Sequence, residues 1–284
     1  MSPFFTERSL HMIQELTGAL LTHHLLEGVA LSYALVCTRT LALIIWLPFL
    51  YYGTIPRRLS VVFALHLSMI VMWGVGLPAM TALSAKGTPG MLEVVGMMFG
   101  EAFLGCALGV SVRLMIDGAR SMGSLLSQAI GLAFASFVDP SMGGSASILE
   151  RLSWLLMLMV VLITGAHLEM LRIFMHGFEL FPPGQVPVLM LDPMEVVTRS
   201  SALFVVALKL SAPVLAVSFM VYASMAILVK VSPSMNLFVF GFALTIPGGL
   251  FALWLSSPQT IMVMMEQSAL AVEAMREVLI AWSP

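Results

Sequence analysis

The feature that most restricts the fold of this chain is the grouping of apolar residues into long blocks, separated by short stretches rich in proline, glycine and charge. The hydrocarbon core of a membrane is crossed by a helix of about 20 apolar residues, and several blocks reach that length. Only 10% of the residues are charged and 60% are hydrophobic, whereas soluble domains carry about 25% charged residues. The sequence therefore predicts an all-α, polytopic membrane protein.

The blocks and the breaks between them give a coarse map of one membrane domain over residues 1–284. Proline or glycine breaks are predicted at three places: 138–147, 231–234 and 245–249. Irregular backbone at membrane depth is tolerated only where protein covers it or water borders it, so we expect these broken helices to mark functional places. The predicted helical blocks are 28–52, 59–83, 91–116, 117–138, 152–178, 195–229 and 235–255, with an amphipathic helix after Pro258.

Charged side chains inside the apolar blocks form a second constraint. An ionisable group at the bilayer centre costs about 3 kcal/mol on insertion scales, so such groups face protein or water. Arg113 and Asp117 are four residues apart and are expected to pair on one helix face. The others either neutralise each other inside a helix bundle or line a wet path or a seam between subunits. They are Arg39, Glu93, Glu101, Glu169, Arg172 and Lys209.

Catalytic chemistry finds little support in the sequence. There is no HExxH zinc motif, no nucleophile elbow and no phosphate-binding loop, so we predict no catalytic residues, no metal site and no cofactor, and hence not an enzyme. Cys37 and Cys106 lie in apolar runs and are interpreted as packing thiols. The net charge is −2, and no basic arm points to nucleic acid.

Four stretches, in this order, resemble the FliR family of flagellar type III secretion. The first is Arg39 followed by Leu47-Pro48-Phe49 and Ile55-Pro56-Arg57. The second and most specific is the run from Gln128 to Pro140, QAIGLAFASFVDP. The third runs from Gly165-Ala166-His167 to Pro182-Pro183-Gly184, and the fourth from Ser232-Pro233-Ser234 to Gly248-Gly249. The homologous injectisome component shares this architecture and is the alternative within the superfamily.

The resemblance implies a fold and a set of partners. The fold resembles a fusion of the FliP-like subunit, over approximately residues 1–190, with a FliQ-like helical hairpin over 191–284. The implied function is that of a structural and gating subunit of the export gate, which passes unfolded flagellar proteins. Implied partners are FliP-like and FliQ-like subunits, a FlhB-like export switch protein and membrane lipid, in the flagellar basal body of the bacterial inner membrane.

The resemblance and the residue chemistry together predict two groups of site residues. A pore plug is predicted over 131–144, where phenylalanines can seal a pore by dewetting and glycines permit movement. Its residues are Gly131, Phe134, Phe137, Asp139, Pro140 and Met142. A second group is expected to shape helix breaks and assembly, with Arg39 and Glu101 finding partners across subunit seams and Gly96, Gly100, Gly105 and Gly109 allowing close helix approach. Its residues are Arg39, Pro48, Pro56, Glu101, Pro233, Asn236, Gly241, Pro247, Gly248 and Gly249.

Two functions of other classes remain as alternatives. A stand-alone secondary transporter could use broken helices and buried charges as a substrate site, but such folds usually carry paired repeats, and none is visible in this sequence. An intramembrane hydrolase would need a nucleophile–base pair, which is not evident. The mass of the gently extracted protein discriminates these classes, because only the export gate requires a large assembly with small membrane subunits.

Overall fold

The computed structural model describes residues 27–47, 56–75, 89–132, 148–186, 193–231 and 237–282, and every regular element in these ranges is an α-helix. This agrees with the predicted all-α class. The helices are α1 (Glu27–Trp46), α2 (Arg57–Val75), α3 (Met91–Ala129), α4 (Ile148–Ile163), α5 (Ala166–Leu180), α6 (Pro193–Val231) and α7 (Leu237–Ala281).

Several helix ends lie within two residues of a proline in the sequence. Pro56 directly precedes α2, and its carbonyl accepts the first turn's hydrogen bond from the Leu59 N–H at 2.8 Å. A proline suits this place because its fixed φ is already helical and its missing N–H has no helical partner to lose. Helix α1 ends at Trp46, two residues before Pro48, which lies outside the described residues. Pro233 and Asn236 also lie outside them, although α6 ends at Val231, where the break was predicted.

The predicted break at 245–249 is wrong, and so is the one at Pro258. Helix α7 continues through Pro247 and Pro258 for 45 residues. One proline removes a single helical hydrogen bond, at a cost of about 3 kcal/mol. Unwinding the helix in apolar surroundings would leave several backbone groups unsatisfied, each at a cost of several kcal/mol. The continuous helix therefore has the lower free energy. Similarly, the blocks 91–116 and 117–138 are joined in α3, which is 39 residues long.

The continuous helix predicted over 152–178 is also wrong. It is divided into α4 and α5, whose axes differ by 68°. The bend lies at Gly165, whose φ is +73°. This left-handed backbone conformation is readily adopted only by glycine. Gly165 is the one local sequence signal for this bend, and it enters the prediction only as part of the third family stretch.

The chain divides into two compact units that do not follow chain order. The first comprises Met1–Gly109, Arg172–Leu191 and Leu279–Pro284, and the second Val110–Leu171 and Asp192–Val278. The fusion of a FliP-like part with a FliQ-like hairpin stays a prediction, because this division into units does not bear on it. The largest fully buried side chains of the first unit are Arg39, Phe174, Phe178, Leu35, Leu104 and Leu108. Those of the second are Ile116, Met122, Leu126, Ile130, Met157 and Met264.

Four of the described helices are long and apolar enough to cross a membrane, and the bent pair α4–α5 would make a fifth. The four are α1, α3, residues Val205–Val231 of α6 and residues Phe240–Ala281 of α7. Only 17% of the most apolar 18-residue stretch of α6 is buried within the chain, and only 22% of the corresponding stretch of α7. Most of the apolar surface of these two helices is therefore available to lipid or to other subunits.

Candidate functional site

A fully buried ion pair is the centre of the first unit. The Arg39 Nε on α1 donates to the Glu101 Oε2 on α3 at 2.5 Å, and both side chains are 0% exposed. Removing a charge from water costs several kcal/mol, which an ion pair offsets only with good geometry and further hydrogen bonds. The two residues that sequence reasoning selected separately are thus brought together.

The remaining polar atoms of this pair bind the end of α5 and the turn that follows it. The Arg39 Nη1 donates to the Gly177 carbonyl at 3.2 Å, and its Nη2 donates to the Phe181 carbonyl at 3.0 Å. The guanidinium also lies 4.1 Å from the centre of the Phe178 ring. A cation is favourable at a helix C-terminus because the last carbonyls carry partial negative charge. The Glu101 Oε1 accepts from the Gly184 N–H at 2.8 Å.

Two glycines of α3 let α1 approach closely enough for this pair to form. A Cβ at Gly105 would overlap the Arg39 carbonyl oxygen, and a Cβ at Gly109 would lie 2.7 Å from the Trp46 Cβ. Small residues at a helix interface allow such approach in membranes. Close helix approach thus occurs at these two positions, but between α1 and α3 of this chain, whereas it was expected against other subunits. At Gly96 nothing lies within 4 Å, so that glycine packs against no described part of the chain.

The expectation that Arg39 and Glu101 find partners across subunit seams is wrong. Each is satisfied by the other and by backbone groups within the first unit. The physical reason is burial inside a single unit, which leaves no face of either side chain open to another subunit. The predicted pairing of Arg113 with Asp117 is confirmed at 3.1 Å.

The second unit holds the C-terminal end of α3 in a socket, which we define by Tyr222, Phe242, Thr245 and Gly249. The Tyr222 hydroxyl donates to the Ala129 carbonyl at 3.0 Å. The Thr245 hydroxyl shares its single proton between the Gly241 carbonyl of its own helix, at 2.9 Å, and the Ile130 carbonyl, at 3.2 Å. The last carbonyls of a helix have no intrahelical donor. Side chains of α6 and α7 therefore cap α3.

Close packing completes the socket. Gly131 ends the capped turn with a φ of +85°, and a Cβ there would lie 2.6 Å from the Phe242 ring. Ile130 is fully buried against Gly249, because a Cβ at Gly249 would overlap the Ile130 side chain. The first residue of the predicted plug and the predicted 245–249 segment are thus brought together. Gly249 is needed for close approach rather than for a helix break.

The chain beyond the predicted plug is also tied to α3. Arg120 Nε and Glu150 Oε1, on α3 and α4, lie 2.5 Å apart. Gly123 lets the start of α4 approach, since a Cβ there would lie 2.5 Å from the Leu149 carbonyl oxygen. The described residues on the two sides of 133–147 are thus held by the socket and by this pair. Sequence reasoning missed the Arg120–Glu150 pair because 30 residues separate its members.

The other predicted site residues divide into two groups. Gly241 and Gly248 lie in α7 without close approach, since a Cβ at either would meet side chains only at 3.9–4.0 Å. Pro247 lies inside the same helix. The predicted plug residues Phe134, Phe137, Asp139, Pro140 and Met142 lie outside the described residues. Within the described ranges, no group of three or more His, Cys, Asp or Glu could hold a metal ion.

The helical fold, the apolar spans and the buried, capped helix ends define a polytopic helical membrane protein. The sequence pattern of the family described as bacterial export proteins, family 1, matches residues 30–270. The chain belongs to this family. The resemblance inferred from the four ordered stretches is thereby confirmed.

Curated relatives cover most of the chain. It is 25% identical over 220 residues to the flagellar biosynthetic protein FliR of Pectobacterium carotovorum subsp. carotovorum, covering 78% of this chain and 82% of that protein. The FliR of Escherichia coli (strain K12) is 25% identical over 213 residues, covering 75% and 78%. The FliR of Bacillus subtilis (strain 168) is 24% identical over 255 residues, covering 87% and 94%.

Proposed function

We propose that the protein is a structural and gating subunit of the flagellar protein export gate in the bacterial inner membrane. It assembles with FliP-like and FliQ-like subunits, contacts a FlhB-like switch protein and passes unfolded flagellar proteins. Membership of the export family and similarity to proteins named FliR support the export role. The gating role is carried by one observation, the socket that holds the end of α3 at the start of the predicted plug.

The socket supports gating because it ties the predicted plug to the α6–α7 hairpin. Its two hydroxyl groups come from different helices and cap successive carbonyls, those of Ala129 and Ile130. A change in the packing of α6 against α7 would therefore displace the first residue of the plug. In this proposal, Phe134 and Phe137 close the pore by excluding water, and the assembled subunits hold the hairpin that positions them.

The proposal is tested by deleting residues 133–138 and measuring membrane permeability in cells that assemble the complex. We expect the deletion complex to form and to leak small ions and dyes. The double variant Tyr222→Phe, Thr245→Val should leak to a smaller extent, because it loosens the anchor and leaves the plug in place. Ser224→Ala is the matched control, since the Ser224 hydroxyl is exposed and donates to the Met220 carbonyl of its own helix.

The outcomes separate the parts of the proposal. A deletion complex that assembles with unchanged permeability would refute the plug. Unchanged permeability in the socket double variant, together with leakage of the deletion complex, would refute the role of the socket alone. A purified protein that is a monomer or simple dimer, with no small membrane subunits, would contradict the export gate and favour a stand-alone transporter.

A further inference from the structure

A cavity of about 460 Å³ lies between α6 and α7 in the second unit, away from the socket residues. Its polar lining comes from both helices, with Lys209 on α6 and Ser256, Gln259 and Thr260 on α7. The rest of the lining is apolar. A volume of this size is within the range of small-molecule sites, which typically combine apolar walls with a few placed polar groups.

The cavity contains a cation, Lys209, for which no described acidic residue is a partner. Within the part of the chain that the structure describes, Lys209 forms no ion pair, and the Gln259 amide forms no hydrogen bond. The hydroxyls of Ser256 and Thr260 already donate to the carbonyls of Leu253 and Ser256, at 3.3 and 3.1 Å. The donors that remain for a ligand are therefore the Lys209 ammonium and the Gln259 amide.

A proline of α6 also lines this cavity. Pro213 lies inside α6 and has no N–H, so the carbonyl four residues earlier, that of Lys209, lacks its helical donor. The cavity thus offers a cation and an amide, surrounded mostly by apolar side chains. This combination suits an amphiphile with an anionic, hydrogen-bonding head better than it suits a purely apolar ligand.

The position of Lys209 in its helix indicates the source of such an amphiphile. The span Val205–Val231 contains two charged residues, Lys209 and Lys230. They are 21 positions apart, or about 31 Å along a helix, which matches a hydrocarbon core about 30 Å thick. On α7, no charged residue occurs between Leu237 and Met265. In a membrane crossed by Val205–Val231, this spacing would place the two lysines at the levels of the two headgroup layers, where long basic side chains reach lipid phosphates.

Exposed apolar side chains lie one position away from lining residues on both helices. Leu255 and Met262 on α7 and Leu208 on α6 are 67%, 70% and 58% exposed. A phosphate held at Lys209 would place its acyl chains along this apolar surface, where their burial is favourable. We propose that the Lys209 cavity binds a phospholipid, with the lipid phosphate paired to Lys209, the Gln259 amide donating to a head or glycerol oxygen, and the acyl chains lying along α6 and α7.

The test uses the full chain, purified in detergent and stripped of lipid. Native mass spectrometry is recorded after addition of phosphatidylglycerol, of diacylglycerol with the same acyl chains, and of inorganic phosphate. We expect wild type to retain one phosphatidylglycerol at least about tenfold more strongly than Lys209→Met, the loss expected for one charge-assisted bond. Lys209→Arg, which keeps the charge, should retain the lipid. Lys230→Met removes the lysine that does not line this cavity, so it should leave the single tightly retained lipid in place.

Each other outcome contradicts the proposal. Equal retention of phosphatidylglycerol and diacylglycerol would show that the phosphate contributes nothing to binding and that the site is an apolar groove. Displacement of the lipid by inorganic phosphate at equal concentration would assign the site to a free anion. If Lys209→Met retains lipid as well as wild type but loses a co-purifying subunit, the partner of Lys209 is a protein carboxylate. Should Lys209→Met fail to purify, Ser256→Phe fills the cavity without removing the charge and is expected to lose the lipid, and retention there would refute the site.

Discussion

Arg39 shows how a single residue can be both costly and structurally necessary. Its guanidinium is fully buried and binds one carboxylate, two carbonyls and an aromatic ring. Breaking such a pair from one side leaves an uncompensated charge in a low-dielectric interior, which costs about 3–5 kcal/mol. The arrangement therefore fixes the end of α5 and the Pro182–Gly184 turn against α1 and α3 within the first unit.

At the residue scale, we predict that Glu101→Leu lowers the free energy of unfolding by about 3–5 kcal/mol. Glu101→Gln should be milder, because its amide oxygen still accepts a hydrogen bond from Arg39 or from Gly184 N–H. The control is Glu273→Gln, which removes the half-exposed 3.5 Å pair with Arg276 and should change stability by under about 1 kcal/mol. Unfolding by SDS titration measures all three variants. Equal losses for Glu101→Leu and Glu273→Gln would show that the buried pair contributes nothing.

The same comparison separates packing from proton handling. If Glu101 serves packing, export in cells should follow the amount of folded protein in both Glu101 variants. A pH-dependent export defect with an intact complex would instead assign proton handling to this carboxylate.

At the scale of elements, glycine has different tasks in α7 and at the α4–α5 bend. Gly249 receives Ile130 at the socket, whereas Gly248 touches Val217 and Val221 at ordinary distances. Gly165 has open space around it but a left-handed backbone. The role of Gly249 depends on side-chain volume, and the role of Gly165 depends on backbone conformation. Alanine substitutions therefore distinguish the two.

We predict opposite effects of alanine at two neighbouring positions of α7. Gly249→Ala should destabilise the protein by about 1–3 kcal/mol, the usual cost of overpacking, because the added methyl displaces Ile130 and the capped end of α3. Gly248→Ala should be neutral or stabilising by up to about 1 kcal/mol, since alanine favours helix over glycine. Thermal unfolding in detergent measures both. Equal melting temperatures would refute the role of Gly249 in the socket.

A second pair tests the bend between α4 and α5. Gly165→Ala should lower stability by more than about 1 kcal/mol, because alanine is strained at positive φ although no atom is in its way. Gly96→Ala also enters open space, but inside helix α3, and should raise the stability of the isolated chain slightly. A gain in melting temperature for Gly165→Ala would mean that the 68° bend is not maintained in solution.

The sequence predicted the parts of this fold that depend on composition and local chemistry, and missed those that depend on contacts. Apolar block length predicted the spans, and the i,i+4 spacing predicted the Arg113–Asp117 pair. The sequence misled at Pro247, Gly248 and Pro258, which suggested helix ends. Helix α7 continues through them, because unwinding it in apolar surroundings would leave backbone groups unsatisfied. The Arg39–Glu101 pair and the socket join residues 62 and 115 positions apart, and no local pattern relates such residues.

At the scale of the whole molecule, the surface is unusually apolar for a chain that would stand alone. Large apolar side chains on α6 and α7 remain exposed, among them Phe219 at 74% and Trp254 at 69%. Apolar patches of this kind mark contact with lipid or with other proteins. The proposed assembly accounts for them by covering the hairpin with small membrane subunits.

We predict that a photo-crosslinking amino acid in place of Phe219 or Trp254 captures a small membrane subunit when the complex is assembled, and lipid or detergent when the chain is expressed alone. Phe178, which is buried in the first unit, is the control position and should give only crosslinks within the chain. Gel mobility and mass spectrometry of the adducts identify the products. Capture of lipid alone in assembled material would contradict coverage of this hairpin by subunits.

The Arg39–Glu101 pair also sets a condition on biosynthesis. Arg39 is made 62 residues before Glu101, which at about 5–20 residues per second corresponds to roughly 3–12 seconds of translation. During that interval α1 carries an arginine whose insertion alone is unfavourable by about 2.5–3.5 kcal/mol. The apolar residues of α1 offset this cost. Until α3 supplies Glu101, α1 is therefore held in the membrane by a smaller free-energy margin than its apolar length alone would give.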